Sequence, residues 1–158
     1  MEKEKGKIRA QMIRALEAYR GKPDFIFFDS PNVEHQSGHT QLDDNDIEVL
    51  QMNLSDSSWI LLTTKCLFIY QNGVSNRING PEIKDFYFLN RAYARNKKKM
   101  PEFENPAGFK SWFHSGDFKI VKNNGEEIMV NLSHHDFGFC LLKAIDKLRF
   151  VSRRYIGV

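Results

Sequence analysis

The stretch that decides the fold reads Trp59-Ile-Leu-Leu-Thr-Thr-Lys-Cys-Leu-Phe-Ile-Tyr70 and continues into Gln71-Asn72-Gly73. Apolar residues dominate both sides of the Thr-Thr-Lys break, which predicts one long strand or two bent strands over residues 59–64 and 66–70. Asn-Gly is typical of a tight hairpin turn, because both residues tolerate positive φ angles. We therefore expect the chain to reverse at Gly73 and to return as a strand over residues 74–78.

Similar short apolar segments occur on both sides of this hairpin, at intervals of about ten residues. Turn residues separate them at positions 55–58, 79–81 and 123–125. This spacing is typical of a meandering antiparallel sheet that curls into a sandwich or a barrel. The further strands that we predict cover residues 47–54, 83–89, 109–114, 118–121 and 127–132, with 25–28 as a strand or a loop anchor.

The first twenty residues have the periodicity of an amphipathic helix, with apolar side chains at three- and four-residue spacing. The apolar stripe consists of Ile8, Met12, Leu16 and Tyr19. Gly21 and Pro23 follow in the order that ends a helix. The pattern favours packing of the stripe on the domain's own sheet, and it leaves open a partner or a second copy as the alternative. The polar residues 29–46 predict a loop.

A second amphipathic helix is predicted at the C-terminal end of the sequence. Its apolar stripe consists of Phe137, Leu141, Ala144, Ile145, Leu148 and either Phe150 or Val151. We expect Ser133 or Asp136 to cap its start. Cations crowd its last turns, where they interact favourably with the helix dipole.

A run of antiparallel strands closed by one C-terminal amphipathic helix resembles the pleckstrin-homology-like (PH-like) fold. The opening stretch and Ile78-Asn-Gly-Pro-Glu-Ile-Lys-Asp85 resemble bacterial PH-like domains, and residues 118–148 resemble their final hairpin and closing helix. The resemblance implies a binding scaffold for lipid headgroups, peptides or proteins and names no active site. We predict an α+β fold, with a PH-like curled antiparallel sheet or barrel over residues 47–158. Residues 1–46 would form a helical extension of the same domain.

Composition excludes several classes of protein. The 158 residues are 41% hydrophobic and 27% charged, values that fit a single globular domain rather than a disordered chain. The net charge of +3 is too small to indicate a particular partner. Cys66 and Cys140 lie in apolar runs, as is typical of buried free thiols in a reducing compartment. With no apolar segment for a signal peptide or a membrane span, the sequence predicts a cytoplasmic protein.

The most basic stretch reads Arg91-Ala-Tyr-Ala-Arg-Asn-Lys-Lys-Lys99 and contains no acidic residue. Lys and Arg supply charge for phosphate groups, and a tyrosine ring among them supplies stacking or interfacial insertion. The candidate ligand-binding residues are therefore Arg91, Tyr93, Arg95, Lys97, Lys98 and Lys99. Glu102 and Glu104 follow closely and would neutralise part of this charge, so a solvated loop is the competing interpretation.

Two histidine-containing segments are candidates for metal or catalytic chemistry. His35 and His39 have zinc-ligand spacing for a helix, with Asp43, Asp44 and Asp46 following. Pro31 and Gly38 indicate a loop instead, where that spacing fixes no geometry, so we expect no metal site. His134-His135-Asp136 precedes the second helix and is interpreted as a helix-entry turn. No nucleophile or phosphate-loop motif accompanies either segment, and we expect neither a cofactor nor an enzyme.

The sequence thus favours a non-enzymatic PH-like module for protein–protein interaction or for regulation of a partner protein. The alternative is peripheral binding of acidic lipid headgroups through residues 91–99. A weaker hypothesis is a small hydrolase or metal-dependent enzyme that uses His35 and His39. Nucleic acid is not an expected partner, and a homodimer stays open.

Overall fold

The computed structural model describes residues 2–29, 42–43, 45–91 and 115–155. Within them the fold is α+β, with two antiparallel sheets and a helix near each end of the chain. The helices are α1 (Glu2–Ala15) and α2 (His135–Arg154). The strands are β1 (Phe25–Phe27), β2 (Glu48–Ser55), β3 (Ser58–Thr63), β4 (Cys66–Gln71), β5 (Val74–Asn79), β6 (Ile83–Phe88), β7 (Gly116–Lys122) and β8 (Glu127–Leu132).

The chain divides into two compact units. The first consists of Met1–Pro81 together with Lys143–Val158, and the second of Glu82–Leu142. The first unit contains α1, the five-stranded sheet and the C-terminal part of α2. The second contains the three-stranded sheet and the beginning of α2.

The five-stranded sheet has the strand order β1-β2-β3-β4-β5, and every pair is antiparallel. The segments predicted as strands, residues 59–64 and 66–70, form β3 and β4, and the alternative of one long strand is wrong. They form a hairpin in which β3 and β4 pair with Leu62 opposite Leu67. The predicted turn at Asn72-Gly73 is confirmed, since the two residues have φ angles of 53° and 78°.

The first sheet ends at Asn79, and the described strands therefore do not form the single curled sheet or barrel that we predicted. A 3-10 turn over Gly80–Glu82 follows β5, and β6 then pairs with β7 in a separate sheet. Pro81 has no backbone N–H to donate to a ladder, so the chain cannot continue the first sheet here. The described strands therefore form two sheets and no closed barrel.

Helix α1 packs on β2 of the first unit. The predicted apolar stripe is buried, although only Ile8 and Met12 lie on the helix and Leu16 and Tyr19 follow its end. All four side chains are at most 6% exposed. These side chains are therefore covered almost completely within the first unit. A second contact follows the helix, since the Tyr19 ring stacks on Phe25 at 5.5 Å between ring centres.

In the second unit, β7 lies between β6 and β8. Along β8 buried and exposed residues alternate, as in a sheet with one solvent face. Phe88 and Phe118 are fully buried and meet edge to face, with ring centres 4.9 Å apart. The predicted strand over residues 109–114 lies outside the described residues.

Helix α2 confirms the predicted apolar stripe, from Phe137 to Val151, and leaves Phe150 exposed. Its cap differs from the prediction. The ring Nδ1 of His134 accepts the backbone N–H of Asp136 at 3.1 Å, so His134 takes the place expected for Ser133 or Asp136. Among the described residues, no helix combines the length and the apolar character that crossing a membrane requires.

Candidate functional site

A groove opens on the first unit between the β3–β4 turn, β5, α1 and the end of α2. Its volume is about 320 Å³. The lining residues are Ile8, Asp43, Thr64, Lys65, Arg77, Asn79, Pro81, Val151, Ser152 and Tyr155. Ile8, Pro81 and Val151 supply apolar surface, whereas Lys65 and Arg77 supply positive charge. A cavity with an apolar lining and a few convergent polar groups is the usual form of a ligand site.

The wall of the groove at Thr64 and Lys65 is held by a buried carboxylate. Asp46, only 5% exposed, accepts hydrogen bonds from the Thr63 hydroxyl at 2.8 Å, the Thr64 hydroxyl at 2.7 Å and the Lys65 N–H at 3.1 Å. We call these four residues the Asp46 cluster. Burial raises the pKa of the Asp46 carboxyl, and the hydrogen bonds from Thr64 and Thr63 offset part of that effect.

The Asp46 cluster also explains why β3 and β4 form a hairpin. The Thr63 hydroxyl accepts the Cys66 N–H at 2.8 Å, and Thr64 N–H bonds to the Ile47 carbonyl at 3.0 Å. The turn is therefore fixed to the segment that precedes β2. Its polar side chains fall inside the fold because their hydrogen bonds are satisfied there.

Arg77 forms the opposite, charged wall. Its guanidinium contacts the Asp43 carboxylate at 2.8 Å and lies over the Phe68 ring, 5.7 Å from the ring centre. The hydrogen bond that Arg77 donates to Asp43 raises the pKa of Arg77, which stays protonated. Asp43 is the more exposed partner, with 63% of its side chain accessible against 39% for Arg77.

Cys66 lies next to this wall, and its thiol is unreactive. Its thiol donates to the Asn79 Oδ1 at 3.1 Å, and burial raises its pKa to about 11. A thiol with such a pKa holds little thiolate at neutral pH. Both cysteines are buried free thiols, as predicted.

The helical side of the groove depends on a close approach between Gly80 and α2. A Cβ atom at Gly80 would overlap the Ser152 hydroxyl and would lie 3.3 Å from Leu148 Cγ. The Tyr155 hydroxyl donates to Gln11 of α1 at 3.2 Å. Glycine at position 80 thus lets α2 approach the sheet closely enough to line the groove.

Of the residues predicted to bind a ligand, only Arg91 lies within the described part of the chain, where it is half-buried. Tyr93, Arg95, Lys97, Lys98 and Lys99 lie outside it, as do His35, His39 and Asp44. Asp43 and Asp46 are described. The Asp43 carboxylate pairs with Arg77, and the Asp46 carboxylate accepts hydrogen bonds from Thr63 and Thr64.

His134, His135 and Asp136 bring one potential ligand atom each to within 4.8 Å of one another. The two imidazole rings stack with centres 4.4 Å apart. His134 Nδ1 already accepts the Asp136 N–H, which supports the interpretation of this segment as a helix-entry turn. His134 is exposed, whereas His135 and Asp136 are half-buried. All three belong to the second unit, whereas the groove belongs to the first.

Sequence reasoning missed the groove residues Thr64, Lys65, Arg77 and Asn79. One signal was present, since Thr63-Thr64-Lys65 interrupts an otherwise apolar stretch. The partner of that interruption, Asp46, lies well before it in the sequence. No spacing rule connects the two.

Comparisons with known proteins identify no relative: no family model, no curated protein and no solved structure matches this chain.

Proposed function

We propose that this chain is a cytoplasmic, non-enzymatic PH-like module that binds a segment of a partner protein in the groove. The observation that supports it most directly is the pairing of an apolar lining with Lys65 and Arg77 at one side. A segment that inserts an apolar side chain and carries an acidic residue next to it has the complementary chemistry.

Non-enzymatic binding also fits the protonation chemistry of the groove. Asp46 is enclosed by its hydrogen-bond donors, and Cys66 is held as a thiol by burial. Neither is presented to a bound molecule as an acid, a base or a nucleophile. The PH-like character of the module draws on the order of elements, because two antiparallel meanders precede one amphipathic helix.

The exposed ion pair between Asp43 and Arg77 gives the groove its selectivity in this proposal. A carboxylate of the ligand would replace Asp43 on the Arg77 guanidinium. The two oxygens of a carboxylate can accept two parallel hydrogen bonds from a guanidinium. Lys65 would supply a second positive charge. Because Asp43 occupies the Arg77 guanidinium, a ligand without an acidic group would bind to the groove with lower affinity.

A phage-displayed library of random peptides, selected on the full chain, tests this proposal. We expect enriched peptides to carry an acidic residue beside an apolar one. For an enriched peptide, calorimetry should show roughly tenfold weaker binding to the Lys65→Gln variant, since one charge-assisted contact is lost. Asp43→Asn should strengthen binding, because it frees Arg77.

Lys84→Gln is the matched control, because Lys84 is an exposed lysine outside the groove and its removal changes net charge equally. It should leave peptide affinity unchanged. Failure to enrich any peptide, or equal binding by the Lys65→Gln variant, would overturn the proposal.

Binding of acidic lipid headgroups through residues 91–99 remains a second prediction. Its residues after Arg91 lie outside the described part of the chain, and the groove therefore carries the first proposal alone.

A further inference from the structure

The outward face of α2 carries positive charge around an exposed aromatic ring. Residues Lys143, Lys147, Phe150 and Arg154 are separated by four, three and four positions, which places them on one face of the helix. We call these four residues the α2 stripe. It extends for roughly 16 Å along the helix axis. Phe150 is 45% exposed, whereas Leu148 and Val151 beside it are buried.

Charge is concentrated in this part of the chain. Residues 143–154 contain five basic residues and one acidic residue, whereas the net charge of the whole chain is only +3. The remainder is therefore close to neutral. A concentration of cations on one surface creates a local positive potential that the overall composition conceals.

The exposed Phe150 ring lies among positively charged side chains of α2. The Lys147 Nζ lies 4.7 Å from the centre of its ring, and Arg153 and Arg154 are exposed on the following turn. An aromatic ring set among cations suits a layer that is negatively charged outside and apolar beneath. The headgroup region of an anionic bilayer has this structure.

The other classes of partner fit the α2 stripe less well. A second copy would bring like charges together, which opposes association. An inserted peptide side chain needs a cavity. Phe150 lines neither the groove nor a second cavity of the first unit, which α1 lines together with Glu17 and Asp29. A bilayer requires no preformed cavity, because its headgroups move aside for the ring.

We infer that the α2 stripe is a membrane-contacting surface, on which the cations bind anionic headgroups and Phe150 enters the interfacial layer. Contact of this kind is reversible and weakens as salt rises. The surface is distinct from the groove and from residues 91–99. It would bring the groove and its bound partner to a negatively charged membrane.

Sedimentation of the full chain with vesicles tests this inference, using phosphatidylcholine alone and phosphatidylcholine mixed with phosphatidylserine. We expect binding to the mixed vesicles only, and weaker binding at raised NaCl. Removing two cations with Lys147→Gln and Arg154→Gln should weaken it by roughly thirtyfold. Phe150→Ser should weaken binding at unchanged net charge.

The charge-matched control is the pair Lys7→Gln and Lys84→Gln, which removes two exposed lysines elsewhere. It should retain nearly all vesicle binding, as should Lys65→Gln, so failure of the groove proposal stays distinguishable. Equal binding to both vesicle types would overturn the inference. So would loss caused by substituting Lys97 and Lys98 while the α2 variants bind normally. Preference for nucleic acid over mixed vesicles would also overturn it.

Discussion

Two polar clusters of the first unit contain carboxylates and differ in how they are satisfied. In the Asp46 cluster, a buried carboxylate accepts uncharged hydroxyl and backbone donors. In the second, Arg20 contacts Glu17 and Asp29 at 2.8 Å each, and all three side chains are more than a third exposed. The first cluster connects segments distant in sequence, whereas most of the second is local.

The difference appears in the direction of the pKa shifts. Burial raises the pKa of the Asp46 carboxyl, whereas the hydrogen bonds from Arg20 lower the pKa values of Glu17 and Asp29. The folded state therefore holds a proton more tightly at Asp46 and less tightly at Glu17 and Asp29. Lowering the pH favours folding at Asp46 and opposes it at the other two.

Asp46→Ala should have the largest effect on stability. It removes the carboxylate that two threonine hydroxyls and the Lys65 N–H share. Longer contacts alone then remain for two of these donors, from Thr63 to the Cys66 carbonyl at 3.2 Å and from the Lys65 N–H to the Thr63 hydroxyl at 3.3 Å. We expect the free energy of unfolding to fall by about 2 to 3 kcal/mol. Urea denaturation followed by circular dichroism measures this value. A loss as small as that of an exposed ion pair would contradict the structural role of the cluster.

Asp46→Asn tests how the contribution of Asp46 to stability depends on pH. One acceptor oxygen remains, and the Thr63 hydroxyl has the Cys66 carbonyl as an alternative acceptor at 3.2 Å, so the loss should be smaller. The wild-type contribution is present below the ordinary pKa of 3.8 and is lost as the pH rises through the raised value. The wild type should therefore gain stability over Asp46→Asn as the pH falls. A difference that is constant with pH would show that Asp46 does not titrate in this way.

Arg20→Met should have the smallest effect. Methionine retains an apolar contact over the Phe27 ring, which Arg20 covers at 4.5 Å, and only the charge interactions are lost. Stability from Glu17 and Asp29 is present above their ordinary pKa values of 4.5 and 3.8 and is lost as the pH falls. The variant should match the wild type at low pH and in concentrated salt, and should be slightly less stable at neutral pH. Denaturation midpoints under the three conditions measure this, and a deficit that persists at low pH would assign the effect to packing.

The same contrast explains how much of the fold was predictable. The Asn72-Gly73 turn and the buried apolar face of α2 are local features, and the residues within each of them suffice to specify it. The β3–β4 hairpin was missed because Asp46, which holds its turn, is remote in sequence. The division into two sheets depends on the turn at Gly80 and Pro81. The sequence pattern indicates a turn there, but it does not indicate which strands pair on either side of it.

The candidate site was predictable to a smaller extent. The groove brings together residues from α1, β5 and the end of α2, and only tertiary packing places them on one cavity. The α2 stripe lies on a helix that was predicted correctly. Its exposed phenylalanine was not distinguished from the core, because Phe150 and Val151 are adjacent and either one continues the apolar periodicity.

The first unit is discontinuous, because residues 143–158 complete it after the whole second unit has been passed. During synthesis, the sheet from β1 to β5 leaves the ribosome long before the segment of α2 that contacts Gly80 and α1. Contacts between segments so far apart in sequence slow folding, since a long loop must close first. The nascent first unit therefore has an uncovered apolar surface until residues 143–155 have been synthesised.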